Sequence, residues 1–224
     1  HHSIPATLPA AVAILNPRID GDDSPFSELA AVGVAFMLAV ALRAALRADG
    51  AFVDHREPDL RDQLDLVALG TVADLAPLRG VNRLLVDAGL KVLARRRRPG
   101  LAALLEVSGV ASDAPLDASH LGFRLGPRIN AAGRLDDPAR AMELLLTTRA
   151  PEALALAETL DAFNSKRQQT EREILAEALA QAEALPDQAE RRGLVLWSDH
   201  WHPGVVGIVA SRIMQAFHKP ALVI

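Results

Sequence analysis

The stretch LVLWSDHWHPGVVGIVASRIMQAFHKPALVI, Leu194 to Ile224, decides the fold class. Leu194 to Trp197 is a short apolar run and reads as a strand. A loop with His200-Trp-His-Pro-Gly204 follows, then the helical segment Val205 to Phe217, then a second apolar run, Ala221 to Ile224. Strand, helix and strand in that order form a βαβ unit, and such a crossover makes the strands parallel. The chain reads as an α/β protein.

Immediately before this unit, Pro151 to Leu185 reads as one long helix, roughly 52 Å at the usual rise per residue. Leu156, Leu160 and Phe163 form an apolar stripe near its start, and Ile174, Leu175, Ala178 and Leu179 form another near its end. The segment between them, Asn164 to Glu173, is polar all round. That pattern predicts a helix anchored at both ends and wet in the middle, bridging two domains; an antiparallel helix pair is the alternative. Further back, helices are expected from Asp137-Pro138 to about Thr147, from Pro99 to Val107, and from Asn82 to Arg98, the last ending in four arginines that suit a solvated C-terminus. Another opens at Pro58, with Leu60, Leu64, Val67 and Ala68 on one face. Ser24-Pro25 has the form of a cap and first helical residue for a helix running to Asp49-Gly50, and Ala10 to Leu15 reads as a strand.

Composition narrows the chemistry. Of 224 residues, half are hydrophobic and 23% charged, enough for one large domain or two modest ones. No apolar run reaches the ~18 residues of a membrane span, and the nearest, Leu29 to Leu42, reads as a buried helix. Cysteine is absent, so disulfides and thiolate metal sites are excluded and any metal must take His, Asp or Glu. The net charge of −4 excludes a bulk polycation held on nucleic acid by its overall field. Of the 24 basic residues, 21 are Arg and 3 Lys. Arg grips phosphate oxygens through a bidentate fork, although GC-rich coding would produce the same bias.

Four groups of residues are candidates for a site. The chain opens on His1-His2 without Met, which fits the tail of a purification tag as well as a metal motif. In LDLVALGTVADLAPLRG, Leu64 to Gly80, an apolar run delivers Asp74 to its end just before Pro77 breaks it; Asp74 either caps a turn or points into a site holding positive charge. Gly122 to Arg134 packs glycines, arginines and Asn130 into thirteen residues, as a structural turn or a phosphate-gripping loop would. The fourth runs from His200 to Arg212, where a strand-to-helix loop would aim free backbone N–H groups at an anion. Ser211 and Arg212, two turns into that helix, would reach a second anion or cap a surface.

Together and in order, these segments resemble the RecJ family of the DHH phosphoesterase superfamily. His1-His2 with Leu8-Pro9 and Ile14-Leu-Asn-Pro17 is similar to the stretch following that family's Asp-His-His motif. Leu64 to Asp74 resembles its next metal-ligand motif, and Phe123 to Arg134 and His200 to Arg212 resemble further segments. The resemblance implies a helix-rich α/β chain: residues 1–150 as the C-terminal part of a DHH catalytic domain, 151–185 as a connecting helix, and 192–224 as the beginning of a DHH-associated domain. It implies a bacterial, cytoplasmic 5′→3′ exonuclease that hydrolyses single-stranded DNA to mononucleotides with two Mn²⁺ or Mg²⁺ ions, in DNA repair and recombination. On that basis His1 and Asp74 are metal ligands, and His2 contacts the scissile phosphate. Arg128, Asn130, Arg134, His202, Ser211 and Arg212 hold DNA phosphates. Single-strand-binding protein is expected as a partner from the family alone, and no membrane is expected. The alternative within the superfamily is a phosphodiesterase of short oligonucleotides or cyclic dinucleotides, whose members carry a Gly-Gly-Gly-His type loop where this chain has His-Trp-His-Pro-Gly.

The family's aspartate-rich metal motifs have no counterpart in these residues, so the chain reads as a fragment, and two carried-over ligands do not hold two ions. The purified 224-residue chain is therefore expected to bind Mn²⁺ weakly and to leave a labelled single-stranded oligonucleotide intact, as calorimetry and a gel assay would show.

Overall fold

The computed structural model describes residue 4 and residues 7–19, 24–187 and 190–224. Two compact units divide the chain: His1–Pro127 with Thr147–Leu154, and Arg128–Leu146 with Ala155–Ile224.

The first unit is helical. Its centre is α2 (Leu64–Ala73), where Leu64, Asp65, Val67, Ala68, Leu69, Thr71 and Val72 are all buried. A helix that is apolar on every side has to be enclosed, and α3 (Gly80–Leu93) and α1 (Ala31–Ala48) pack against it. The approach of α3 is close enough to require glycine. A Cβ at Gly89 would lie 2.1 Å from the Leu64 carbonyl oxygen and 2.5 Å from Ala68 Cβ. Asn82, on α3, is buried and donates through Nδ2 to the carbonyls of Glu28 (2.8 Å) and Pro77 (3.0 Å), fixing both flanking loops. The short helix α4 (Pro99–Val107) starts at Pro99, as the sequence predicts.

Four expectations for this unit fail, the last in part. Ala10 to Leu15 is irregular rather than a strand, with Val12 and Leu15 exposed, because no described strand lies beside it to take up its backbone hydrogen bonds. Ser24 does not cap a helix: its Oγ accepts from the Phe26 N–H, a turn forms, and α1 begins only at Ala31. The apolar helix expected to be buried is mostly exposed; in α1 only Gly33 is buried, and Leu38, Leu42 and Leu46 face outward. By length and composition alone α1 is long and apolar enough to cross a membrane, a test that core helices of soluble proteins also pass. Of the four arginines expected at a solvated helix end, Arg95 and Arg97 are exposed but Arg96 and Arg98 turn inward. α3 stops at Leu93, and Arg96 donates to the Ala111 carbonyl at 2.5 Å. Arg98 Nε reaches Oδ2 of the buried Asp65 at 3.0 Å. A carboxylate taken out of water needs such a partner.

The second unit contains α6 (Ala139–Leu146), most of α5 (Gly126–Leu135) and α7 (Ala150–Ala184), and the βαβ unit. Strands β1 (Leu194–Leu196) and β2 (Ala221–Val223) pair in parallel, with Leu194 opposite Ala221 and Leu196 opposite Val223. Burial alternates along β1 as a strand with one covered face requires. Helix α8 (Pro203–Phe217) lays Val205, Val209 and Ile213, spaced by one turn, into a core shared with Leu194, Leu196, Trp201 and Val223. Ile174, Ala178 and Ala182 of α7 complete that core.

The 35-residue α7 is a single helix, as read, but its middle is not wet all round. A buried face runs from Ala153, Ala157 and Leu160 through Asn164 to Ile174, Ala178 and Ala182. Between Asn164 and Ile174 the same face is continued by Arg167 and Glu171, whose side chains are each only 13% exposed. Polar character on this helix therefore does not mark solvent; those side chains hydrogen-bond to one another.

At the C-terminus of α2 the chain turns through Leu75, whose φ of +56° lies in the left-handed region that favours glycine. The Leu75 N–H donates to the Val72 carbonyl and the Ala76 N–H to the Thr71 carbonyl, both at 3.1 Å, while the Leu75 side chain is 89% exposed. Leu75→Gly should therefore relieve backbone strain with little loss of burial and raise stability by about 0.5–1 kcal/mol, measurable as a higher urea midpoint with unchanged slope.

Candidate nucleic-acid interface

In the first unit the residue of interest is Asp74. It is the C-cap of α2, with its N–H donating to the Gly70 carbonyl at 3.0 Å, and it is exposed. The buried helix and the left-handed turn after it hold the backbone of Asp74 in place. An oxygen donor of this kind suits a hard cation such as Mn²⁺ or Mg²⁺, so Asp74 fits as one ligand. Among the described residues no group of three or more His, Asp or Glu side chains comes together to hold an ion. His1 and His2 lie outside the described residues.

The segment Gly122 to Arg134, expected as a loop, is helical. His120–Leu125 forms a wide π turn that runs directly into α5. The Gly126 N–H reaches back to the Leu121 carbonyl, just before Pro127, which has no N–H to offer. The glycines thus sit in a helix, and Arg128, Asn130 and Arg134 take positions fixed by its pitch.

Within the second unit these three residues differ. Arg128 is largely buried and pairs with Asp161 of α7, its Nε and Nη2 both 2.8 Å from Oδ1. Asn130 is exposed. Arg134 is exposed and donates through Nη1 to the Gly204 carbonyl at 3.0 Å. The main chains also meet there, since a Cβ on Gly204 would lie 2.3 Å from the Arg134 carbonyl oxygen. Glycine at 204 is required by this approach of α5 to the start of α8.

The amino end of α8 does not offer free N–H groups to an anion. Pro203 has none, and the Gly204 N–H donates to His202 Nδ1 at 3.0 Å. The N–H groups of Val205 and Val206 both return to the His202 carbonyl. His202 is therefore the N-cap, and its accepting Nδ1 leaves the ring proton on Nε2. The loop before it is held by a residue the sequence did not single out. Glu177 of α7 accepts from Trp201 Nε1 at 2.9 Å and pairs with His200 Nε2 at 3.0 Å, while His200 Nδ1 contacts Ser198 Oγ at 2.7 Å.

Side chains one to three turns into α8 form the site instead. A groove of about 480 Å³ is lined by Arg134, Gly207, Ile208, Ser211, Arg212 and Gln215. Ser211 Oγ donates to the Gly207 carbonyl at 3.2 Å. Arg212 is 58% exposed, with Nε 3.5 Å from Glu171 Oε1. Two guanidinium groups, a hydroxyl and an amide, with no aromatic ring among them, suit the phosphates of a nucleic-acid backbone better than its bases. Of the residues expected to bind phosphate, the structure brings Arg134, Ser211 and Arg212 together in this groove. Arg128, Asn130 and His202 are not in its lining.

The fold and this groove define a helix-rich α/β protein with two arginines on an open groove. No family model matches the chain. It is 49% identical over 227 residues to the single-stranded-DNA-specific exonuclease RecJ of Dickeya dadantii, covering 99% of this chain and 39% of that protein. Against RecJ of Escherichia coli the identity is 48% over 228 residues, with the same coverage. The crystal structure of RecJ in complex with Mn²⁺ from Thermus thermophilus superposes with a TM-score of 0.83 at 36% identity, covering 100% of this chain and 31% of that one. Over its whole length the chain is similar to RecJ proteins. It spans about two fifths of the length of these curated relatives.

The Glu177 cluster makes stability depend on acid. The Trp201 N–H, and after it His200, hold the Glu177 carboxyl below its ordinary value of 4.5. A carboxylate with a depressed folded-state value stabilises the fold above its unfolded value, and the gain is lost as pH falls through the folded one. The advantage of wild type over Glu177→Gln in urea midpoint should therefore be full near neutral pH and should shrink below 4.5.

Proposed function

We propose that this chain serves a metal-dependent 5′→3′ exonuclease that hydrolyses single-stranded DNA to mononucleotides in DNA repair and recombination. The observation that carries the reading is the convergence of Arg134, Ser211 and Arg212 in one groove. Backbone phosphates are common to every sequence, and a groove that grips them directly tolerates any base. The relatives are named for single-stranded DNA, and the solved RecJ structures hold Mn²⁺ or Mg²⁺, which supports the same substrate and ions here. In this reading residues 1–150 belong to the catalytic DHH domain, 151–185 connect, and 192–224 begin the DHH-associated domain. The protein acts in the bacterial cytoplasm and is recruited by single-strand-binding protein.

Asp74 and His1 would ligate the ions, and His2 would contact the scissile phosphate. The ions, when bound, supply Lewis-acid stabilisation of charge on the phosphoryl oxygens. The chain's own contribution is orientation: α2 and its turn fix Asp74, and the α8 groove holds the strand by its phosphates, with Arg128, Asn130 and His202 supporting the same path. Asp74→Ala in the full-length protein should abolish release of mononucleotides from a 5′-labelled oligonucleotide in Mn²⁺, while binding of that oligonucleotide measured without metal survives. Turnover that persists in the variant would rule out the metal role.

A further inference from the structure

Asn164, Arg167 and Glu171 follow one another along a single face of α7 at spacings of three and four residues. Asn164 is 4% exposed, and its Oδ1 accepts from Arg167 Nη2 at 3.1 Å. Arg167 Nη1 donates to Glu171 Oε2 at 2.8 Å, and Glu171 Oε1 faces Arg212 Nε at 3.5 Å. Packing does not ask for these residues. The positions before and after them on the same face are filled by Ala157, Leu160, Ile174 and Ala178, all buried. Burying a charged pair generally stabilises no better than apolar side chains of similar volume. Arg167 Nε is moreover buried without a hydrogen-bond partner among the described residues, a cost that an apolar residue would avoid.

What the line of polar groups achieves is visible at its far end. Arg212 is the guanidinium of the groove whose one partner among the described residues is Glu171. A carboxylate at Nε leaves the edge formed by the two Nη nitrogens for a ligand, and that edge matches two oxygens of a phosphate. We propose that Glu171 is a positioning residue, anchored by Arg167 and Asn164, that holds Arg212 by Nε so that its Nη edge meets a DNA phosphate in the α8 groove. This rests on the reading of that groove given above.

The test is a double-mutant cycle in the full-length protein, with a fluorescently labelled single-stranded oligodeoxynucleotide as probe and binding measured without divalent metal. Arg212→Ala should weaken binding. Glu171→Gln, which keeps the side chain's size, should weaken it about three- to tenfold, and Glu171→Asp should recover part of the loss. In the Arg212→Ala background Glu171→Gln should cost nothing further. In turnover, Glu171→Gln should raise KM and leave kcat for the bound strand unchanged. A Glu171→Gln penalty of the same size with and without Arg212 would overturn the positioning role and leave the groove reading intact. Binding by Arg212→Ala equal to wild type would remove the groove reading itself, and the role of Glu171 with it.

Discussion

Polar side chains on the buried face of a helix need partners there, and the second unit depends on those that α7 supplies along its own length. Asn164, Arg167 and Glu171 answer one another in succession. Apolar residues on either side of them carry the same face onward, down to Ile174, Ala178 and Ala182 in the core beneath the two strands. One helix thereby serves as the floor of a hydrophobic core and as the support of a charged groove. The change from one to the other takes two turns.

The same helix holds three other segments of the second unit by three different pairs. Asp161 holds Arg128, Glu171 faces Arg212, and Glu177 ties down His200 and Trp201 ahead of α8. Each is a carboxylate that meets a cation or an indole N–H from a segment distant in sequence. A rigid rod carrying acids at intervals is well suited to this task, because its rise per residue fixes the separation of the groups it holds. Helix α5 supplies a further constraint through Arg134, whose backbone and side chain both engage Gly204. That contact places the start of α8, and hence the groove formed by Gly207, Ser211 and Arg212.

In the first unit the organising element is α2, enclosed on all sides and yet carrying Asp65. That carboxylate is tolerated because Arg98 reaches it. Asp74, ten residues from the start of the helix, is exposed at its end instead. One acid is neutralised inside the protein, and the other lies at the surface before the left-handed turn at Leu75. Rigid presentation of a carboxylate is what the cation-ligand role proposed for Asp74 requires.

Much of this could be read from the chain alone. The strand, helix and strand after Leu194, the long helix from Ala150 to Ala184, and the helix starting at Pro99 follow from spacing of apolar residues and from proline, which are local properties. Arg134, Ser211 and Arg212 stood out as candidates, but spacing left open whether Ser211 and Arg212 reach an anion or cap a surface. What could not be read locally were pairings. Glycines at 122, 126 and 133 look like a loop, yet they lie in a helix because neighbouring turns accommodate them. Asn164 to Glu171 look solvated, since polarity indicates exposure only where no partner is at hand. Arg98 finds Asp65 across 33 residues, and Arg212 finds Glu171 across a distance no periodicity encodes. The sequence by itself determined the strand–helix–strand unit and the long helix before it, because those depend on near neighbours. Only the tertiary structure decided which charges are buried, paired or left for a ligand, because that depends on what distant segments bring into reach.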